Sequence, residues 1–183
     1  MPNLLTLARI CLAPVLVSAV VEGQFAWGFA LFVVAGLTDA LDGLLARVLK
    51  QQTMLGQYLD PVADKLLLST LFLVLTHAKL IPAWITALVF GRDVAILAVA
   101  ALLYASVGRR EFRPSIFGKA NTVAQITAVA VVLLERVYAA PWVMELRTVS
   151  LYAAAALTSA SGLHYAWIVS RRPGNGSSGT HAA

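Results

Sequence analysis

Four of the nine acidic residues in this 183-residue chain fall within one short window, as Asp39, Asp42, Asp60 and Asp64. Asp39 and Asp42 are three positions apart, and Asp60 and Asp64 four, so on helices each pair projects from one face. Carboxylates gathered in an apolar setting must take up protons or bind cations. An all-oxygen donor set suits a hard divalent ion, Mg²⁺ or Mn²⁺, and two such ions balance four carboxylates in formal charge. Paired ions of this kind serve phosphoryl-type transfer, where they bridge phosphate oxygens.

The residues between the acids fit a phosphate ligand. Gly43 leaves room for a ligand beside the backbone, and Gly56 removes a side chain that could obstruct the pocket. Arg47, one turn past Gly43, can fork onto a diphosphate. Pro61 fits the first turn of a helix, where its missing N–H has no obligatory partner. Each feature has a plainer reading: glycines pack helices, a loop-end arginine marks topology, and buried acids hold protons or cations in transporters. No one of these accounts for the seven positions together.

The rest of the chain sets the solvent for this chemistry. It is 60% apolar and 13% charged, about half the usual charged fraction of a soluble domain, and its apolar residues come in long runs. Six runs are predicted to span a bilayer, at roughly 4–21, 25–46, 56–76, 81–104, 119–134 and 149–169. The expected fold is an all-α integral membrane protein of one domain, residues 1–172, followed by a disordered Gly/Ser-rich tail, 173–183. The first run is expected to be a permanent span, since a signal peptide would not carry Arg9 in its apolar core.

Charge gives the orientation. Arg47, Lys50, Arg109, Arg110, Arg113, Lys119, Arg171 and Arg172 fall on one side of the six spans, and Lys79, Arg136 and Arg147 on the other. The positive-inside bias puts both termini and the acidic window at the cytoplasmic face. The net charge of +5 is therefore expected to meet anionic headgroups, not nucleic acid. The second and third spans, joined by a short connection at 48–54, are expected to pack as antiparallel neighbours with converging acidic faces. The single cysteine, Cys11, reads as a small hydrophobe.

The spacing Asp39-x2-Asp42-Gly43-x2-Ala46-Arg47-x8-Gly56-x3-Asp60-x3-Asp64 resembles the signature of the CDP-alcohol phosphatidyltransferase family at every fixed position. That resemblance implies a six-helix membrane enzyme, often a homodimer, that moves a phosphatidyl group from CDP-diacylglycerol to an alcohol and releases CMP. It implies Asp39, Asp42 and Asp60 as metal ligands, and Asp64 as both metal-site residue and general base. It also implies CDP contacts at Gly43, Arg47 and Thr53. PNLLTLARICLAPV at 2–15 is similar to the N-terminal segment of the glycerophospholipid branch, which adds Asn3 and Thr6 to the nucleotide site. GLTDALDGLLAR, GRDV at 91–94 and RPSIFGKANTVAQ at 113–125 resemble most the cardiolipin-forming members. The implied acceptor is phosphatidylglycerol, with glycerol 3-phosphate as the alternative.

Arg92 and Asp93 lie inside the fourth run, either as an internal ion pair or with Arg92 on an acceptor phosphate. Lys119, read on one helical face with Asn121 and Gln125, would complete that acceptor site. The rival from another class is a divalent-cation transporter, whose acids would sit near the bilayer midplane instead of toward one face.

Overall fold

The apolar runs form six helices: α1 (Pro2–Val21), α2 (Phe25–Leu49), α3 (Met54–His77), α4 (Ala83–Val107), α5 (Ile116–Val137) and α6 (Pro141–Ser170). The computed structural model describes the backbone at residues 2–49, 54–107 and 116–170, and side chains at 11–38, 65–96, 98 and 118–163. Thr53, most of the basic residues between and after the spans, and the tail from 173 lie outside the described residues. No strand occurs among the described residues.

Two helix ends share one device. After α1, Gly23 takes a φ of 75°, its N–H bonds the Val20 carbonyl, and the Gln24 N–H reaches back to Ala19. After α3, Lys79 takes a φ of 59°, with its N–H on Thr76 and the Leu80 N–H on Leu75. Both are Schellman caps, which satisfy carbonyls that have no intrahelical donor. Glycine holds the left-handed position without strain at the first; lysine holds it at the second despite the clash of its Cβ.

Helix α6 starts at Pro141, eight residues before the predicted span, so Arg147 is a helical residue and not a loop charge. Proline suits the first helical position. The charge is tolerated because the Arg147 guanidinium meets Glu135 of α5, with Nη1 donating at 3.3 Å and Nε lying 3.2 Å from Oε2 but off the N–H axis. Its Nη2 also donates to the Leu80 carbonyl. Arg136, likewise read as a loop residue, is in the last turn of α5, over the Phe25 ring.

Among the described residues, contacts run α2–α1–α3–α4–α6–α5 and back to α2, with α3 also touching α5. The bundle is thus two four-helix groups sharing α3 and α5. In the first group, α2 and α3 lie across the diagonal and do not touch among the described residues. The expected convergence of their acidic faces, beside the 48–54 connection, lies outside the described side chains. Their connection ties only one pair of ends, and the apolar faces of α1 (Leu16, Val20) and α5 (Val129, Val132) fill the space on either side.

The inward stripes follow helical periodicity. On α3 the buried residues are Leu68, Leu71, Phe72 and Leu75; on α2, Gly28 and Phe32 are buried, with Val20 of α1 against Gly28. Continued by fours and threes, these registers reach positions 64 and 60 on α3 and 35, 39 and 42 on α2. Pro61 is not in a first turn as expected: α3 starts at Met54. Interior proline leaves the Gln57 carbonyl without its helical donor, which weakens the helix at this turn.

Among the described residues one helix segment, Gly118–Val137, is long and apolar enough to cross a membrane by length and composition.

Lys79→Gly should stabilise the fold by up to about 1 kcal/mol, because relief of the left-handed strain exceeds the added chain entropy. Thermal unfolding of the purified protein checks this; a lower midpoint would contradict the cap assignment.

Candidate functional site

Asn3 and Thr6 lie on α1, Asp39, Asp42, Gly43 and Arg47 on the second half of α2, and Asp60 and Asp64 on the first half of α3. Their side chains are outside the described residues, as is Thr53 altogether. Among the described residues no group of three His, Cys, Asp or Glu could hold a metal.

What the structure does describe begins one residue after Asp64. Lys65, 35% exposed, extends from α3 to α4, where its Nζ donates to Asp93 Oδ1 at 2.9 Å. The neighbouring Arg92 donates to the same oxygen through Nη1 at 2.6 Å. Asp93 has little exposure and would be costly as a lone anion; two cations compensate it. Arg92 then reaches α6, where Nη2 donates to Ser161 Oγ at 2.7 Å. Gly118 of α5 and Gly162 of α6 flank this arginine, and a Cβ at either would meet it only in ordinary van der Waals contact, at 3.7 Å from Nη2 and 3.9 Å from Cγ.

A second polar layer adjoins the first. Thr158, one turn before Ser161, donates to Asn121 Oδ1 at 2.8 Å, and Gln125 follows one turn along α5. Asn121, Gln125, Thr158 and Ser161 are all buried. Three donors here, Arg92 Nε, Asn121 Nδ2 and Gln125 Nε2, have no hydrogen-bond partner among the described residues. Among the described residues the seam is therefore rich in unsatisfied N–H groups, and Lys65, Arg92 and Asp93 together leave it one positive charge in excess. Chemically it suits a ligand that brings oxygen acceptors and negative charge, such as a phosphate ester.

Arg92 is thus both an internal ion-pair partner and a wall of this seam. Lys119 is not on the face of Asn121 and Gln125: it is exposed while both amides are buried. Two positions along a helix turn by roughly 200°, so the shared face expected from the sequence does not exist. Lys65, Thr158 and Ser161 were missed. A lysine inside an apolar run next to Asp64 was the signal for the first; the hydroxyls had none, because their partners are on other helices.

A family model described as CDP-alcohol phosphatidyltransferase matches residues 1–160, which include the whole acidic window and the polar seam up to Thr158. The chain belongs to that family. Its similarities within the CDP-alcohol phosphatidyltransferases reach proteins of two names. Cardiolipin synthase (CMP-forming) of Homo sapiens is 37% identical over 75% of this chain and 51% of the human protein. The Rattus norvegicus protein of the same name gives the same figures. CDP-diacylglycerol--glycerol-3-phosphate 3-phosphatidyltransferase of Bacillus subtilis (strain 168) is 35% identical over 73% of this chain and 76% of the Bacillus protein. The chain thus spans about half the length of the human and rat relatives.

Ser161→Ala should cost roughly 1–3 kcal/mol of stability, the penalty for leaving an Arg92 N–H without an acceptor in a buried place. Ser161→Thr should restore most of it. Equal unfolding midpoints for wild type and the alanine variant would show that Arg92 does not depend on this hydroxyl.

Proposed function

We propose that the protein transfers the phosphatidyl group of CDP-diacylglycerol to a hydroxyl of phosphatidylglycerol, releasing CMP. The observation that supports this reading is that the family model covers the whole signature, whose four acids lie on α2 and α3 at positions spaced by helical turns from the buried Phe32 and Leu68. The Bacillus relative, matched over most of its length, favours glycerol 3-phosphate as the second acceptor to test.

The donor set fits a hard cation: Asp39, Asp42, Asp60 and Asp64 offer only carboxylate oxygens and would hold two Mg²⁺ or Mn²⁺. When bound, the ions supply charge neutralisation for the diphosphate. The chain's own groups do the rest. Gly43 and Arg47, with Asn3, Thr6 and Thr53, bind the CDP part and fix its orientation. Asp64 takes the proton from the acceptor hydroxyl. The freed oxygen forms a bond to the phosphorus that carries the diacylglyceryl group, and the bond from that phosphorus to the CMP oxygen breaks. This displacement uses no enzyme nucleophile, so the exposed Cys11 has no part in it. Arg92, in the donor-rich seam, is the better placed of the two basic residues assigned to the acceptor phosphate; Lys119 faces outward.

We further propose that all six helices span the membrane, with termini and active site at the cytoplasmic face. Every helix exposes large apolar side chains, among them Val15, Val34, Leu66, Phe90, Val123 and Val149, while polar groups occupy the interior. A bilayer is the solvent that suits that distribution. Trp27, Trp84, Tyr138 and Trp142 gather where α1 meets α2, α3 meets α4 and α5 meets α6, as interfacial aromatics do. A homodimer and a single membrane domain over 1–172 complete the proposal.

The purified protein, given labelled CDP-diacylglycerol, Mg²⁺ and each alcohol in turn, should release CMP with phosphatidylglycerol. Release with glycerol 3-phosphate alone would correct the acceptor, and none with any alcohol would end the enzymatic reading. Asp64→Asn should lower kcat by about 10²–10⁴-fold, the usual range for loss of a general base; near-normal turnover would remove that role.

A further inference from the structure

Lys65 and Asp93 are explained neither by the family signature nor by the reaction steps above, yet they form the tie that reaches the acid-bearing half of α3. We propose that the Lys65–Asp93 ion pair is a positioning device, which fixes the rotation of α3 at the turn carrying Asp60 and Asp64. This rests on the functional reading above for what those acids do.

Three observations lead there. First, Lys65 follows Asp64 directly, so whatever holds its ammonium limits rotation of the helix at that residue. Second, the anchor is firm. Asp93 is buried, it is shared with Arg92, and Arg92 is itself bonded to Ser161, so the pull on α3 is transmitted to α4 and α6 together. Among the described residues α3 and α6 have no direct packing contact, so this chain of polar contacts adds to the packing of α4 and α5 that joins them. Third, α3 needs holding at this point. Interior Pro61 removes a helical hydrogen bond just before Asp64, whereas the far half of α3 is already fixed by Leu68, Leu71, Phe72 and Leu75 and by the Thr76–Thr86 hydroxyl contact.

The geometry makes the tie consequential. A rotation of about 20° displaces a side-chain tip at the ~5–6 Å radius of a helix surface by about 2 Å. Catalytic and ligand groups work only when held to roughly 0.5 Å, so such a rotation would misplace both acids at once. Lys65 acts through α3 and is a positioning residue, not a group on the reacting atoms.

Lys65→Met keeps the length and apolar stem of the side chain but removes its charge. Its kcat for metal-dependent CMP release should fall roughly 10- to 100-fold, the range for a misplacement near 1 Å, with KM for CDP-diacylglycerol close to wild type. Lys65→Arg should recover most of the loss. Asp93→Asn, which also takes the carboxylate from Arg92, should be at least as severe as Lys65→Met, and adding Lys65→Met to it should cost little further, because the Lys65–Asp93 interaction is already gone. Unchanged kcat in Lys65→Met, or a lower unfolding temperature as its only effect, would overturn the proposal. Amide hydrogen exchange gives a readout that needs no turnover: in Lys65→Met it should accelerate across 57–64 and stay constant across 68–77. Unaltered exchange at 57–64 would also overturn it. If wild type releases no CMP with any alcohol, the functional reading fails on its own, and the exchange pattern alone decides whether the pair holds this turn.

Discussion

A carboxylate inside an apolar helical bundle stays charged only where cations reach it, and Asp93 shows what that demand does to a fold. Lys65 comes to it from α3 and Arg92 from α4, and Arg92 extends the connection to Ser161 on α6. Interdigitated apolar contact fixes a helix where its buried stripe lies, as at Leu68, Leu71, Phe72 and Leu75, but leaves a turn beyond that stripe free to rotate at modest cost. Polar contacts inside the bundle do not allow that freedom, because a small shift leaves a buried charge without its partner. Glu135 and Arg147 make the same kind of tie at the opposite end, between α5 and α6. The four acids on α2 and α3, brought together as proposed, would pose that electrostatic problem on a larger scale, and divalent cations would answer it.

The bundle combines an apolar core with apolar side chains on its outer surface and a few polar groups inside. Large apolar side chains face outward on every helix, while Asn121, Gln125, Thr158 and Ser161 sit inside. Small residues such as Ala128 and Ala154 let α5 and α6 approach closely enough for those polar groups to meet. Among the described residues the shared pair α3 and α5 then separates two groups: one completed by α1 and α2, and one completed by α4 and α6, which holds the donor-rich seam. A reaction between a nucleotide-linked lipid and a phosphate-bearing acceptor needs two adjoining binding regions of this kind.

Much of this was legible in the sequence. Six apolar runs became six helices, because apolar runs of about twenty residues are too long for strands and fit helices. The acidic window was legible because its spacing is helical and its residue type is rare in such a chain. The start of α6 was not, since Glu145 and Arg147 lower the local hydropathy and the compensating Glu135 belongs to another helix. The ring order of the helices was not legible either, because the short 48–54 connection constrains only the joined ends of α2 and α3. Two errors were avoidable: residues 119 and 121 cannot share a helical face, and a helix long enough to cross a bilayer could have started well before Pro61. Lys65 was visible as a lone charge in an apolar run, but its partner lies 28 residues away on another helix.

The central claim is that acids from two helices grip one pair of divalent ions. The direct measurement is electron paramagnetic resonance of the purified protein titrated with Mn²⁺. The account predicts two Mn²⁺ per chain with a spin-coupled spectrum, and loss of that coupling when either Asp39 on α2 or Asp60 on α3 is changed to asparagine. Isolated, uncoupled Mn²⁺, or a coupled signal that survives both substitutions, would contradict it.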